Sequence, residues 1–425
     1  MTSTIKVDNI QNQNGETFNL VSWDTTAKTT GFTAVSGRGY FVDSSSSAIT
    51  VTLPASPSAG NIVSVSDYNG SAVTNSITIG RNGSNINGDA SDYSITKADS
   101  AVTFVYVDAT VGWTSVQTSN TNDNINTFII ATGGTITCCG DYKIHTFTGP
   151  GTFTVTCAGN AAGSNTVDYL VVAGGASGGA RNGGSGGGGA GGYREGYNPG
   201  SYTASPLATT SLPVSAQGYP ITVGGGGAPR PDCASAQGNA GSNSVFSSIT
   251  STGGGGGGAV SSTGPITIGA AGGSGGGAGI ETDNVPFSSA GAGNTPPVSP
   301  PQGNPGGDNF APTWPSSNNS GGGGGGAGAA GGNASSGTGG TRGCGVSTSI
   351  SGSSVNYSQG GGASVFAPGS VGGLGGNNPT PATTNDGVAG GTNTGGGGGA
   401  GGDNNNGGAS GAGGSGIVII RYKYQ

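Results

Sequence analysis

Charged side chains are scarce in this sequence: Lys, Arg, Asp and Glu make up 7% of its 425 residues, with a single histidine. The 12 basic residues are scattered along the chain, whereas nucleic-acid binding requires them in clusters. Only three glutamates are present, and no two acids have the placement that glycoside hydrolysis needs. With a net charge of −7, the chain is not expected to bind nucleic acid or anionic membranes.

Long apolar runs are also missing. The most apolar stretches, Tyr169–Ala173 and Ile417–Ile420, have the length of a strand and fall far short of the ~20 residues of a membrane helix. The first residues lack the apolar core of a signal peptide. We therefore expect a protein that is made in the cytoplasm and does not insert into membranes.

Residues that carry chemistry are few. The cysteines show no CxxC spacing, which argues against a zinc site and favours reduced, buried thiols. They are Cys138, Cys139, Cys157, Cys233 and Cys344. His145 lies in an alternating strand pattern, and no nucleophile elbow accompanies it. These observations predict no metal, no cofactor and no enzymatic activity.

Glycine is what the sequence has in abundance, and it is unevenly placed. Of 96 glycines, 14 lie in residues 1–150 and 82 in residues 151–425. The first part reads as ordinary β-structure. Residues 1–30 are polar with a short strand pattern at Ile5, Val7 and Ile10, which fits either a disordered leader or an attachment arm that folds against a partner. The alternation in residues 31–118 predicts a small all-β domain, followed by a polar linker over 119–130.

Residues 131–425 combine strands with glycine tracts. The last strand, Ile417–Tyr424, is expected to pair with the apolar strand Tyr169–Val172, so that the intervening chain is an insertion in one β-frame. Glycine tracts recur through this insertion, at 174–192, 224–227, 253–258, 272–279, 321–332, 360–362, 372–376, 395–402 and 407–416. No strict Gly-X-Y frame is present, which excludes collagen. We predict a bundle of three-residue-per-turn polyglycine II helices, the alternative being flexible linkers.

Aromatic residues between the glycine tracts are the candidate binding residues, because rings stack on sugar faces and loops on a rigid scaffold carry binding sites. They are Tyr193, Tyr197, Tyr202, Phe310, Trp314 and Tyr357. The alternative is that these rings only cap the bundle.

Several motifs resemble those of a known group of proteins. The segments Ala48–Pro54 and Phe104–Trp113 resemble a β-module of marine phage tail fibres. The segments Asp168–Gly175, Gly191–Arg194 and Gly414–Tyr422 are similar to the glycine-rich domain of such fibres and to the polyglycine-helix adhesins at tail-fibre tips of T-even phages.

This resemblance implies a homotrimeric virion fibre. Its amino-terminal arm, with Ile5, Val7 and Ile10, would attach to other virion tail proteins, and residues 31–118 would form a shaft domain. The glycine-rich tip would bind a host cell-surface receptor, a polysaccharide or an outer-membrane component. The alternative is a structural virion protein, a capsid fibre or decoration protein, that binds no receptor.

Overall fold

The computed structural model describes residues 21–118, 128–160, 163–181, 183–231, 235–262, 264–283, 288–403 and 407–425. These residues divide into two compact units, one ending at Thr127 and one beginning at Phe128. Both units are built from β-strands, and the only helices among the described residues are two short 3-10 turns, Ser71–Val73 and Gly264–Ile266. The predicted all-β class is confirmed. None of the described residues forms a helix that is long and apolar enough to cross a membrane.

The described part of the first unit contains nine strands. They are β1 (Ser22–Lys28), β2 (Phe32–Thr33), β3 (Arg38–Val42), β4 (Ile49–Thr52), β5 (Ile62–Asp67), β6 (Ile77–Gly80), β7 (Tyr93–Ile95), β8 (Ala101–Asp108) and β9 (Gly112–Thr118).

Strands in the first unit alternate between two sheets in a solenoid-like winding. In one sheet β1, β3 and β5 pair in parallel, and in the other β2, β4 and β6 do the same. Antiparallel strands then continue both sheets, β7 next to β6 and the β8–β9 hairpin next to β5. Fully buried side chains, including Val42, Val51 and Phe104, form one core. The chain of this unit therefore winds into successive coils, each made of short strands with alternating polar and apolar residues.

The predicted domain boundaries shift by a few residues. Strand β1 lies within residues 1–30, the predicted arm, yet it pairs with β3 and belongs to the first unit. Ile129 and Ile130 lie in a strand of the second unit rather than in the predicted linker. The sequence did not predict β1 as a strand of this unit, because most of its side chains face outward and are polar. Ile5, Val7 and Ile10 lie outside the described residues.

The second unit contains the remaining strands. They are β10 (Ile129–Thr132), β11 (Thr135–Cys139), β12 (Tyr142–Phe147), β13 (Gly151–Ala158), β14 (Thr166–Val172), β15 (Tyr193–Tyr197), β16 (Thr209–Thr210), β17 (Leu212–Pro213), β18 (Gly218–Thr222), β19 (Ser244–Phe246), β20 (Ile249–Ser251), β21 (Val346–Thr348), β22 (Val355–Tyr357) and β23 (Ile417–Lys423).

The final strand lies in the middle of its sheet. The order is β11-β12-β23-β14-β15-β16, and β23 pairs antiparallel with β14 from Ile417 opposite Val172 to Arg421 opposite Asp168. The predicted pairing of the last strand is thus confirmed. A second sheet, β10-β13-β18-β19-β20, shares an aromatic-rich core with one face of this sheet. Both β14 and β23 are buried on both faces, which explains their continuous apolar sequences.

The glycine segments between these strands bond to one another with a three-residue period. In segment 174–179, successive backbone N–H groups donate to the carbonyls of Ser242, Gly414, Gly189, Asn239, Gly411 and Gly186. Three neighbours are thus visited in turn, and each is revisited three residues later. Only a chain with three residues per turn points its N–H groups in this way, so these segments are polyglycine II helices.

Close approach of backbones makes glycine necessary in this bundle. A Cβ added at Gly187 would lie 2.1 Å from the carbonyl oxygen of Gly361, and one at Gly277 would lie 1.9 Å from that of Gly322. Neither distance leaves room for a side-chain carbon. Segments with fewer glycines, such as 302–309, take part in the same network at their glycine positions. The bundle is therefore a packed, hydrogen-bonded core built almost entirely from main chain.

Two short pieces of β-like sequence between the glycine tracts form no strand in the structure. Pro265–Ile268 contributes to the 3-10 turn Gly264–Ile266, and Ser364–Phe366 forms a single isolated bridge at Val365. Both sequences are apolar and β-branched, but each lies where the chain reverses between two glycine segments. Local propensity yields to the turn there.

Candidate functional site

The bundle has two different ends. Segment 174–179 leaves β14 and segment 185–192 returns to β15, so the turn between them lies away from the sheets. The other segments likewise run alternately away from the sheets and back toward them. We call the end with the strands the sheet end and the opposite end the far end. Described loops at the far end include 310–319, 335–338 and 365–371.

An apolar cap closes part of the far end. Val260, Ile280 and Ala311 are buried there, and the half-buried rings of Trp314 and Phe366 pack on them. The centroids of these two rings lie 4.6 Å apart. The cap gives two loops from distant parts of the sequence one shared aromatic surface.

Hydrogen bonds fix the loop that carries Trp314. Phe310 and Ser320 exchange both backbone hydrogen bonds at 2.8 Å, which closes the base of the loop. Asn319 is fully buried, and its side-chain amide donates to the carbonyl of Thr313 at 2.9 Å. The N–H of Phe366 donates to the carbonyl of Asn319 at 2.8 Å. Trp314 is thus held by a loop that is tied to its own base and to the neighbouring loop.

The six aromatic residues predicted as receptor contacts do not form one site. Phe310 and Trp314 lie at the far end, whereas Tyr193, Tyr197, Tyr202 and Tyr357 lie at the sheet end. Tyr193 is 1% exposed and Tyr357 is 3% exposed, and both belong to the core that packs against β14 and β23. For these two tyrosines the receptor-binding prediction is wrong, because their rings are covered by protein.

A buried carboxylate binds two of the tyrosines at the sheet end, Tyr193 and Tyr202. Glu195 is 1% exposed and accepts hydrogen bonds from the hydroxyls of Tyr193 at 2.7 Å, Tyr202 at 3.0 Å and Thr348 at 2.6 Å. The backbone N–H of Ser205 donates to it at 3.0 Å. Burial and the Glu195 charge raise the pKa of Tyr193 and of Tyr202, so both phenols remain protonated donors. The arrangement joins β15, its following loop and β21.

A second buried acid lies near by, opposite a buried cation. Asp168 accepts the N–H of Asn198 at 2.6 Å, and burial raises its pKa to about 6. Arg421 is its cross-strand neighbour and donates to the carbonyl of Ser201 at 2.8 Å. The Arg421 guanidinium also lies 4.4 Å from the ring centroid of Tyr142. These charges hold loop 198–205 on the sheet.

The single histidine is part of the core. His145 is fully buried, its Nδ1 donates to the carbonyl of Gly133 at 2.7 Å, and its Nε2 accepts from the hydroxyl of Tyr422 at 3.1 Å. Burial lowers the pKa of His145, which favours this neutral form. Both ring nitrogens are therefore occupied in joining β12 to β23 and to the residues before β11.

The remaining reactive side chains are potential metal ligands and cysteine thiols. Within the described parts of the chain, no three His, Cys, Asp or Glu side chains converge on a place for a metal ion. Cys138 and Cys344 are exposed free thiols, contrary to the expectation of buried cysteines. Cys138 lies in β11 and Cys344 lies at the edge of the bundle, and both side chains face outward.

Comparison with known proteins identifies the second unit. Residues 146–423 match the model of a glycine-rich domain family. This chain belongs to the glycine-rich domain family. A comparison with curated protein sequences finds no match. The matched range begins within β12 and ends with β23, so on this chain the family model covers the strands from β12 onward together with the bundle inserted between them.

Phe366 is the site residue that the sequence did not indicate. Its ring contact with Trp314 joins positions more than fifty residues apart in sequence, so no local pattern reveals it. The available signal was its position between the glycine tracts 360–362 and 372–376. The same signal applies to every far-end loop.

Proposed function

We propose that this chain is a phage tail-fibre protein that binds a host cell-surface receptor without covalent chemistry. The receptor is a bacterial surface polysaccharide or an outer-membrane component, and the contacts come from the far-end loops. The observation that carries the proposal is the aromatic pair Trp314 and Phe366, presented by fixed loops at the end of the bundle remote from the sheets. Aromatic faces with polar neighbours are suited to sugars.

The architecture of the bundle supports this role. Main-chain hydrogen bonds supply its order, so loops at the far end can differ in sequence without disturbing the core. Binding sites concentrate on such loops when a rigid scaffold positions them. Tyr197 and Tyr202, whose rings lie 5.9 Å apart at the sheet end, remain as secondary candidates.

We also propose that three copies assemble into the fibre and that the arm attaches it to other tail proteins of the virion. An exposed aromatic row on the first unit supports self-association. Trp23 is 42% exposed and Tyr68 56% exposed, and Phe41 lies between them at centroid distances of 4.9 and 6.4 Å. Contiguous exposed apolar surface of this kind is typical of protein contacts. Several copies would convert weak single sites into firm attachment.

The test is binding of the purified protein to an array of bacterial surface polysaccharides and to outer-membrane vesicles. We expect Trp314→Ala to weaken binding by about tenfold or more, because a ring at the centre of an interface commonly contributes over 1 kcal/mol. Ile136→Ala, which trims an exposed side chain on β11 at the sheet end, is the control. Equal binding by both variants would contradict a far-end site.

A structural virion protein without receptor contacts is the alternative outcome of this test. It predicts no saturable binding to any polysaccharide or vesicle while the protein still assembles into particles. Shortened polysaccharide chains after incubation would instead indicate a depolymerase.

A further inference from the structure

One segment of the bundle lacks a neighbour on one side. Because a polyglycine II helix repeats every three residues, its N–H groups point in three directions and its carbonyls in three others. In segment 358–364, here called the central segment, the N–H groups of Gly360, Gly361 and Gly362 donate to three different neighbouring segments. The carbonyls of Gly361 and Gly362 accept from two more. The sixth direction is that of the carbonyls of Gly360 and Ala363.

Nothing among the described residues donates a hydrogen bond to either of these two carbonyls. They are three residues apart, so they face the same way and lie about 9 Å apart along the helix. A helix of the bundle placed beside them would supply the missing N–H groups. The place beside the carbonyl of Ala363 is therefore vacant, whereas Gly360 is buried and borders no open stretch.

The vacancy is a groove on the side of the bundle. Its walls are segments 339–345 and 371–377, which bond to the central segment through Gly343 and Leu374 but not to each other through their backbones. The groove stretch toward the far end has a volume of about 520 Å³. Val371, 51% exposed, and Leu374, 39% exposed, form its apolar rim.

Arg342 crosses this groove. Its Nη1 donates to the carbonyl of Gly375 on the opposite wall at 2.7 Å, which replaces one hydrogen bond of the missing chain. Arg342 also borders a second open stretch of about 570 Å³ toward the sheet end. No acidic side chain lines either stretch, and within the described parts of the chain no ion pair neutralises this guanidinium.

We propose that the groove binds an extended segment of a partner protein, in the polyproline II conformation and rich in glycine and alanine. One of its N–H groups would bond to the carbonyl of Ala363, which lines the stretch toward the far end, and an acidic side chain would pair with Arg342 at the edge of that stretch. Small residues are required because neighbouring backbones in this bundle approach too closely for larger ones. This occupant completes the lattice and supplies the charge that the groove lacks. The proposal does not depend on the receptor-binding role of the far end.

Capped synthetic peptides test this proposal with the full chain. The first probe is acetyl-Gly-Ala-Gly-Glu-Gly-Ala-Gly-amide, the second carries Gln in place of Glu, and the third is capped hexaproline, which has no backbone N–H. We expect saturable binding of the first, at least fivefold weaker binding of the second, and none of the third. Microscale thermophoresis against labelled protein provides the measurement.

Protein variants locate the site. Ala363→Leu places a larger side chain in the groove and should abolish binding, and Arg342→Gln should remove the preference for Glu over Gln in the peptide. Ala330→Leu, at an exposed alanine outside the groove, is the control. Melting curves show whether each variant folds. Equal binding of the Glu and Gln peptides, binding of hexaproline, full binding by Ala363→Leu, or no binding of the first peptide by the unaltered chain would each overturn the proposal.

Discussion

At the residue scale, the most consequential side chain is Glu195. Its carboxylate is the shared acceptor of three side-chain hydroxyls and one backbone N–H in a buried site. We expect Glu195→Ala to lower the free energy of unfolding of the second unit by about 3 kcal/mol or more, because buried donors lose their acceptor. Thermal melting followed by circular dichroism measures the effect.

Asp141→Ala provides the comparison for this variant, since Asp141 is an exposed acid in the turn between β11 and β12. It should melt like the unaltered chain. If Glu195→Ala also melted at the original temperature, the carboxylate would not hold these elements together.

Asp168 predicts a pH effect with a definite sign. Burial raises its pKa from 3.8 to about 6, against the opposing effects of hydrogen bonds and the Arg421 charge, while the Glu195 charge adds to the rise. The folded chain therefore binds a proton more tightly than the unfolded chain, and this group costs stability as pH rises from about 4 to 6. A two-unit shift corresponds to roughly 3 kcal/mol.

The variant Asp168→Asn removes that titration and keeps an acceptor oxygen for the N–H of Asn198. Its melting temperature relative to the unaltered chain should therefore rise between pH 4 and pH 7. Taking the difference cancels the contribution of His145, whose lowered pKa has the opposite effect and costs stability as pH falls below 6.5. A difference that is constant with pH would show that Asp168 does not titrate in this range.

The sequence predicts the structural role of the glycine tracts but not the burial of these two acids. Glu195 and Asp168 look like ordinary surface residues, because nothing local announces the partners that reach them from loop 198–205, β21 and β23. For the same reason the sequence does not predict that Tyr193 and Tyr357 are buried. Burial of a polar or aromatic side chain depends on chain segments that are far apart in sequence.

At the element scale, the bundle makes a matched prediction about glycine. A Cβ at Gly256 would lie 1.9 Å from the carbonyl oxygen of Gly238, whereas a Cβ at Gly225 would have no atom within 4 Å. Gly256→Ala should therefore lower the melting temperature of the second unit by several degrees, and Gly256→Val by more. Gly225→Ala should leave it unchanged. Loss of stability in both, or in neither, would contradict the close packing of the helices.

The strand elements show where local pattern suffices. Ile417–Lys423 was recognisable as a central strand, and its pairing with β14 followed from the apolar match. Winding of β1 to β6 between two sheets was not recognisable, because short alternating strands look the same in a hairpin and in a solenoid. The glycine tracts likewise predict the helix type without a sequence period, but the vacancy beside the central segment becomes visible only when all its neighbours are placed.

At the scale of the whole molecule, the fold predicts an unusual circular dichroism spectrum. Among the described residues the only right-handed helical elements are two 3-10 turns, and the glycine segments are extended left-handed helices. The far-ultraviolet spectrum should show a weak signal at 222 nm and a polyproline II component. A strong minimum at 222 nm would contradict both the strand frame and the bundle.

Function at this scale depends on where the far end lies on the particle. The proposed fibre places the loops with Trp314 and Phe366 outward, toward a host surface, and the first unit in the shaft. A capsid fibre or decoration protein could use the same fold without such an orientation. The two possibilities therefore differ in location and not in structure.

Immunogold electron microscopy of virions that carry this chain, with an antibody against loop 310–319, tests the central claim most directly. A tail-fibre adhesin predicts gold at the outer ends of the tail appendages. Gold over the capsid, or only at the base of the tail, would contradict receptor binding by the far end.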